Sequence, residues 1–229
     1  FHAFAVNSFI DEIAHARKED TKKVMLEIFG PDRQLSLEQL GIKALPNYGA
    51  PIEKHPVDAG RLRNVVELVT KNSGWDQRKS LKGRALGLAA HRSFLSYVAV
   101  VASTTQRKDG SFWVDEVWVA VDAGLIINSD RVIAQMEGSV LNSMNHALYG
   151  GVTHKNGAVE QNNFDGVQLI RMGDEPRKIH VHIVASEKAP GGVGEPGVPP
   201  VAPAIANAFF ALTGKRVREF PLLPGLAKT

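Results

Sequence analysis

Cysteine is absent from the chain. That excludes a disulfide, a thiolate nucleophile and a cysteine-ligated iron–sulfur cluster within its 229 residues, so any redox centre has to be borrowed. No apolar run approaches the roughly 20 residues needed to cross a bilayer, and no basic stretch followed by an apolar one marks a secretion signal. Basic runs are missing too. The formal net charge of +3 and the pI near 9.1 come from lysines and arginines scattered along the chain, a pattern that argues against nucleic acid as a partner. Three familiar catalytic signatures do not occur: the G-x-x-x-x-G-K-[ST] loop, H-E-x-x-H and the G-x-S-x-G elbow.

What is present suits a folded protein of one or two domains, with 44% hydrophobic and 22% charged residues. The opening stretch "FHAFAVNSFIDEIAHA" places Phe4, Phe9, Ile10 and Ile13 near helical spacing, which predicts one helix ending near Gly30 and Pro31. Nothing before it caps it, so upstream sequence is expected. After an irregular span a second helix is predicted over 59–71. The pattern then changes to strands, "GRALGLAAH", "SYVAVVASTT" and "SFWVDEVWVAVDAG", the last two forming a hairpin with Asp109 and Gly110 at its turn. Helical spacing returns from Asp130 to a stop at Gly150, "KNGAVEQNNF" reads as a turn with its outgoing strand, and "KIHVHIVAS" alternates as a strand. Its His180 and His182 share one face, read as solvated rather than metal-binding. "VAPAIANAFFALTGKRV" is a final helix ended by Gly214. This order predicts an α+β (mixed α/β) fold without the strict alternation of a doubly wound sheet. Residues 1–80 read as a helical segment with an irregular connection that completes an upstream domain, and 81–229 as the sheet-bearing part.

Two short stretches hold polar groups in apolar or glycine-rich settings. "APGGVGEPGVPP", residues 189–200, has one carboxylate, Glu195, in a loop whose glycines permit close backbone approach and whose prolines stiffen it. Such a loop just before a helix suits presentation of one polar group into a pocket. It equally suits a plain connection with a solvent-facing acid, and composition alone does not raise it above that. "AQMEG" sets Gln135 near a helix start, as a ligand contact or an inert surface residue. Gln161, Asn162 and Asn163 suit a polar pocket lining or an ordinary loop.

Five segments in order, "FAVNSFIDEIAH", "GRALGLAAHRSFLSYVAVVA", "VAVDAGLIINSDRVIAQMEG", "VEQNNFDGVQLIRM" and "GGVGEPGVPPVAPAIANAFFALTGKRVREFPL", resemble the large molybdopterin-binding subunit of molybdenum hydroxylases, of the isoquinoline 1-oxidoreductase beta-subunit type. The resemblance spans nearly the whole chain and is weakest between about Gly30 and Ser80. It implies the C-terminal portion of a molybdopterin-binding domain, a mixed sheet with packed helices. It also implies that Glu195, in the G-x-G-E-P block, is the active-site base, taking a proton from the oxygen that attacks an electron-poor carbon. By the same resemblance Gln135 contacts the pterin, and the backbone of Gly192, Val193 and Gly194 lies near the metal, with no protein side chain as metal ligand. A base of this kind works best with its pKa near the working pH, which partial burial of Glu195 would promote.

The implied cofactor is molybdenum-molybdopterin in the cytosine dinucleotide form. The implied partners are the upstream portion of the same subunit, an iron–sulfur subunit that takes the electrons, and a small aldehyde or N-heteroaromatic substrate. Periplasmic or membrane-associated placement follows from the same resemblance, with the cytoplasm as the alternative. Ala123 in "VDAG" and Ser129 in "INSD" depart from the family's cysteine and proline, and "NFDGVQ" departs near the substrate region. The family's methionine-glycine-glutamine-glycine block is missing, which keeps a second expectation open: a non-catalytic domain of the same fold that serves assembly only.

Overall fold

A computed structural model describes residues 1–106 and 111–222. It opens with α1 (His2–Arg17) and α2 (Thr21–Phe29), where the sequence predicted one helix. The break has a local cause. Lys18 turns left-handed at φ 56°, and Asp20 caps the new helix by accepting from the Lys23 amide. Asp20 also accepts from the Trp75 indole and pairs with Arg78, so the break is held by tertiary contacts as well. Two short strands, β1 (Gln34–Leu35) and β2 (Val57–Asp58), pair beside α3 (Ala59–Asn72), whose first turn is capped by Asp58.

The sheet follows: β3 (Arg84–Ser93), β4 (Ser96–Gln106) and β5 (Phe112–Asp122) form an antiparallel meander. The turn at Asp109 and Gly110 lies outside the described residues. Next come α4 (Ser129–Leu148), a small hairpin of β6 (His154–Lys155) and β7 (Ala158–Val159), β8 (Lys178–Ile183) and α5 (Val201–Thr213), which ends at left-handed Gly214. Strand order is β3-β4-β5-β8, with β8 parallel to β5, so the sheet is mixed.

The middles of the central strands, residues 97–102 of β4 and 117–121 of β5, are apolar without interruption because both sheet faces are covered. On one face Val98, Val100, Val119 and Val121 meet Met136, Val140 and Met144 of α4 and Ile205 and Phe209 of α5. On the other, Leu88, Ala99, Val101 and Trp118 meet Ile10 of α1, Val24 of α2 and Val65 and Val69 of α3. Each large apolar side chain buried this way contributes about 1.5–3 kcal/mol before the entropy of ordering it. Helix α5 rides directly on β3. A Cβ added at Gly87 would stand 2.2 Å from the Ala204 oxygen and the Ala208 nitrogen, so only glycine permits that approach.

His180 and His182 are half-buried rather than fully solvated. They point to the α1–α3 side, where the His180 ring stacks on Trp118 at 5.0 Å and its Nε2 lies 2.9 Å from Glu116 Oε2. Stacking on Trp118 and the Glu116 carboxylate, both on the neighbouring strand and invisible in a local alternation, account for the difference.

Candidate functional site

One end of the sheet gathers the candidate residues. Parallel β5 and β8 both finish there, the β3–β4 turn lies there, and α4 and α5 follow shortly after. The corner is braced from below by a buried ion pair: Arg61 of α3 grips Asp122, the last residue of β5, through Nε at 2.8 Å and Nη2 at 2.5 Å. The Arg61 guanidinium also lies over the Tyr97 ring at 4.6 Å, and the Tyr97 hydroxyl accepts from the Asp58 amide and donates to the Pro56 carbonyl. Removing one partner of such a buried pair costs about 3–5 kcal/mol, because the other charge is stranded.

Residues 188–192 are fastened onto this braced end. The Leu125 amide donates to the Lys188 carbonyl at 2.9 Å and the Gly191 amide to the Ala123 carbonyl at 2.8 Å. Gly124 sits at φ 73°, and a side chain there would run into the Ala189 oxygen 2.4 Å away. Ala123 therefore acts through its carbonyl, and a buried small side chain suffices. The β3–β4 turn supplies the second clamp. Gly192 N–H donates to the Phe94 carbonyl, and Ser96 Oγ donates to the Gly192 carbonyl, both at 2.7 Å. Phe94 and Leu95 hold φ values of 50° and 67°, left-handed for two bulky residues where glycine or asparagine is usual, so the turn carries local strain.

Past the tip the loop is fastened again. A Cβ at Gly197 would come within 2.8 Å of Ser139 Cβ and 3.1 Å of Met136 Sδ, so the backbone lies against α4. The glycines thus divide by role. Gly191, Gly192 and Gly197 permit close packing of the loop on its supports, whereas the Cβ position of Gly194 has no neighbour within 4 Å.

The tip between these clamps is Val193 to Pro196. Glu195 is exposed there, and its carbonyl accepts from the Val198 amide at 3.0 Å as the chain turns toward α5. Partial burial is the expectation for this carboxylate, but Glu195 is exposed between half-buried Val193 and buried Pro196. Gln135 is also exposed, on the second turn of α4, and its Nε2 is 3.5 Å from the Gly194 carbonyl, at the outer limit of a hydrogen bond. Ser129 opens that helix, with Asn128 as its cap. Gln135, Gly192, Val193, Gly194 and Glu195 thus meet at one corner although α4 and the loop are far apart in sequence. Gln161 and Asn163 are occupied within their own segment, bonding Thr153 and the Phe164 amide.

A planar, polar cofactor fits this corner on two observations: an exposed amide side chain, and a glycine backbone whose outer side is open. Among the described residues no group of three or more histidine, aspartate or glutamate side chains is placed to hold a metal ion, and the groups at this corner are the Gln135 amide, the glycine backbone and the Glu195 carboxylate. A separate cavity of about 230 Å³ is lined by Lys54, Arg61, Lys188, Glu53 and Asp58, and Glu195 takes no part in it. The sequence reading missed the supports, Arg61, Asp122, Phe94 and Ser96. Its one usable signal was "SFLS", a short break between two strand patterns.

Comparison with known proteins defines the class. Residues 13–176 match the family model of the molybdopterin cofactor-binding domain, and the chain belongs to that family. The match includes Gln135 and stops short of Glu195. Within the family it is similar to the beta subunit of isoquinoline 1-oxidoreductase from Brevundimonas diminuta, 36% identical over 72% of this chain and 21% of that protein. It is also similar to the membrane-bound aldehyde dehydrogenase [pyrroloquinoline-quinone] of Gluconacetobacter polyoxogenes, 28% identical over 97% of this chain and 28% of that one. A nicotinate dehydrogenase subunit of Pseudomonas putida is 27% identical over 96% of this chain and 18% of its own. The chain therefore spans less than a third of the length of these curated relatives. In fold it matches quinoline 2-oxidoreductase of Pseudomonas putida 86, with a TM-score of 0.51 over 58% of this chain and 18% of that one at 16% identity. By their names these relatives are oxidoreductases or dehydrogenases.

Proposed function

We propose that this chain forms part of the catalytic molybdopterin-binding subunit of a bacterial molybdenum hydroxylase, which hydroxylates an aldehyde or an N-heteroaromatic ring with oxygen from water. The observation that carries the reading is the corner itself: a carboxylate at the exposed tip of a loop clamped on both sides, beside an exposed glutamine, in a chain of this family. The relatives' names supply the substrate class, since they act on isoquinoline, an aldehyde and nicotinate.

In this reading the Gln135 amide and the Gly192–Val193–Gly194 backbone hold the cofactor, in its cytosine dinucleotide form. When bound, molybdenum supplies the two-electron oxidation. Glu195 does the acid–base work. Its carboxylate accepts the proton of the water-derived oxygen as that oxygen attacks the electron-poor carbon, a contribution of typically ~10²–10⁴-fold in rate. The clamps at Gly191, Gly192 and Gly197 keep the tip from wandering, so the carboxylate stays aimed. Covering of the tip by the rest of the subunit would exclude water and supply the burial that the described chain lacks. Iron–sulfur clusters in a partner subunit take the electrons, and the assembly is periplasmic or membrane-associated. No helix among the described residues is long and apolar enough to cross a membrane.

Metal and cofactor analysis of the protein purified with its natural partners tests the proposal. Stoichiometric molybdenum with a pterin dinucleotide supports it. Absence of both, with the assembly intact, replaces it with the assembly-only domain.

A further inference from the structure

The two edges of the sheet are finished differently. The outer side of β3 is closed at its middle: Asn7 of α1 accepts from the Ala90 amide at 2.9 Å and donates to the Ala90 carbonyl at 3.1 Å, while Asn207 of α5 donates to the Leu88 carbonyl at 3.2 Å. These edge groups are satisfied by buried side chains. Nothing comparable is found along β8, which pairs only with β5 among the described residues. Val184 N–H donates to the Val121 carbonyl at 2.9 Å. By the two-residue repeat of a parallel ladder, residues 180 and 182 then also turn their backbone groups to β5, and Ile179, Val181 and Ile183 turn theirs outward. The strand carries no proline or bulge to blunt this edge.

Its side chains are unfinished as well. Ile179, Val181 and Ile183 pack on the α4–α5 core but stay only partly buried, whereas the matching Val119 and Val121 of β5 are fully buried. On the opposite face His182 buries Nε2 without a hydrogen-bond partner. The segment leading into β8 exposes large apolar groups, Phe164 at 92%, Met172 at 98% and Val152 at 66%.

We infer that the outer edge of β8 is where the rest of the molybdopterin-binding subunit adds a strand, with alternate apolar side chains closing over Ile179, Val181 and Ile183. The inference rests on the reading that the chain works within a larger subunit. The length outside this chain favours that occupant: the chain covers 21% of one relative and 28% of another, so most of such a polypeptide remains to be packed somewhere. An added strand satisfies the outward N–H and C=O groups through backbone bonds, and its side chains complete the cover of the core.

Residue-resolved hydrogen exchange on the complete, molybdenum-loaded subunit tests this. The amides of Ile179, Val181 and Ile183 are expected to exchange at least ~100-fold more slowly than exposed loop amides, alongside those of His180 and His182. Val181→Pro, which removes an outward donor and leaves the β5 ladder intact, should speed exchange at Ile179 and Ile183 by ~10-fold or more. Loop-like exchange of the odd-numbered amides in a subunit that holds molybdenum and turns over overturns the docking site and leaves the functional reading standing. Protection that appears only as this chain dimerises by itself assigns the edge to a second copy and overturns it too.

Discussion

Along the middle of β3 the observed devices close the molecule: Asn7 satisfies the Ala90 N–H and C=O, Asn207 satisfies the Leu88 C=O, Gly87 lets α5 lie directly on the strand, and Leu88 and Ala90 are buried. Along β8, and at the Glu195 tip on the same end of the sheet, the molecule stays open, with outward backbone groups, half-buried isoleucines and an exposed carboxylate. The difference teaches where this chain is self-sufficient. Sealing an edge needs buried polar side chains with every atom satisfied, so the open regions are the natural places for contact with other groups.

Substitutions on the sealed side should have the larger effects on stability. Gly87→Ala forces a Cβ into the backbone of α5, and a loss of about 3 kcal/mol or more is expected in urea unfolding. A loss below about 0.5 kcal/mol would show that α5 is not pressed onto β3. Next comes Asn207→Leu, similar in size but unable to donate, which leaves the Leu88 carbonyl buried and unpaired at a cost of about 1–3 kcal/mol. The corresponding Ile183→Val on the open side should cost less than about 1 kcal/mol in the chain by itself, because Ile183 is only partly buried. Equal losses at the two edges would erase the distinction.

A smaller effect depends on pH and is shared by the two edges. Burial lowers the imidazole pKa of His91 on β3 and of His182 on β8, where His180 adds to the effect. A histidine with a depressed folded pKa contributes stability that is present above the unfolded value near 6.5 and is lost as pH falls through the folded value. Stability should therefore decline on acidification below about pH 6.5. His91→Gln should flatten that decline in denaturant midpoints measured from pH 8 to 5, and an unchanged slope would remove His91 as its source.

Much of the scaffold is legible in the sequence. The apolar runs of β4 and β5 and the spacing of α3, α4 and α5 follow from burial on two faces, and Gly214 marks its helix end as expected. The break between α1 and α2 is only half legible: Asp20 is a residue that caps helices, but its hold by Trp75 and Arg78, more than fifty residues away, has no local signal. Nor does alternation in "KIHVHI" say that it pairs parallel to β5, or that its histidines meet Trp118 and Glu116. At the candidate site the residues of the tip follow from resemblance, while composition alone leaves Glu195 an incidental acid. The physical reason to notice it lies in contacts such as Ser96 with Gly192, 96 residues apart, which no local pattern encodes.

The central claim is that the open tip carries the reaction's base. Glu195→Gln in the complete assembly, assayed for steady-state turnover together with molybdenum content, tests it most directly. The account predicts normal molybdenum loading, an unchanged fold and a fall in kcat of ~10²–10⁴-fold. Turnover within a few-fold of the parent enzyme at full molybdenum content would contradict it.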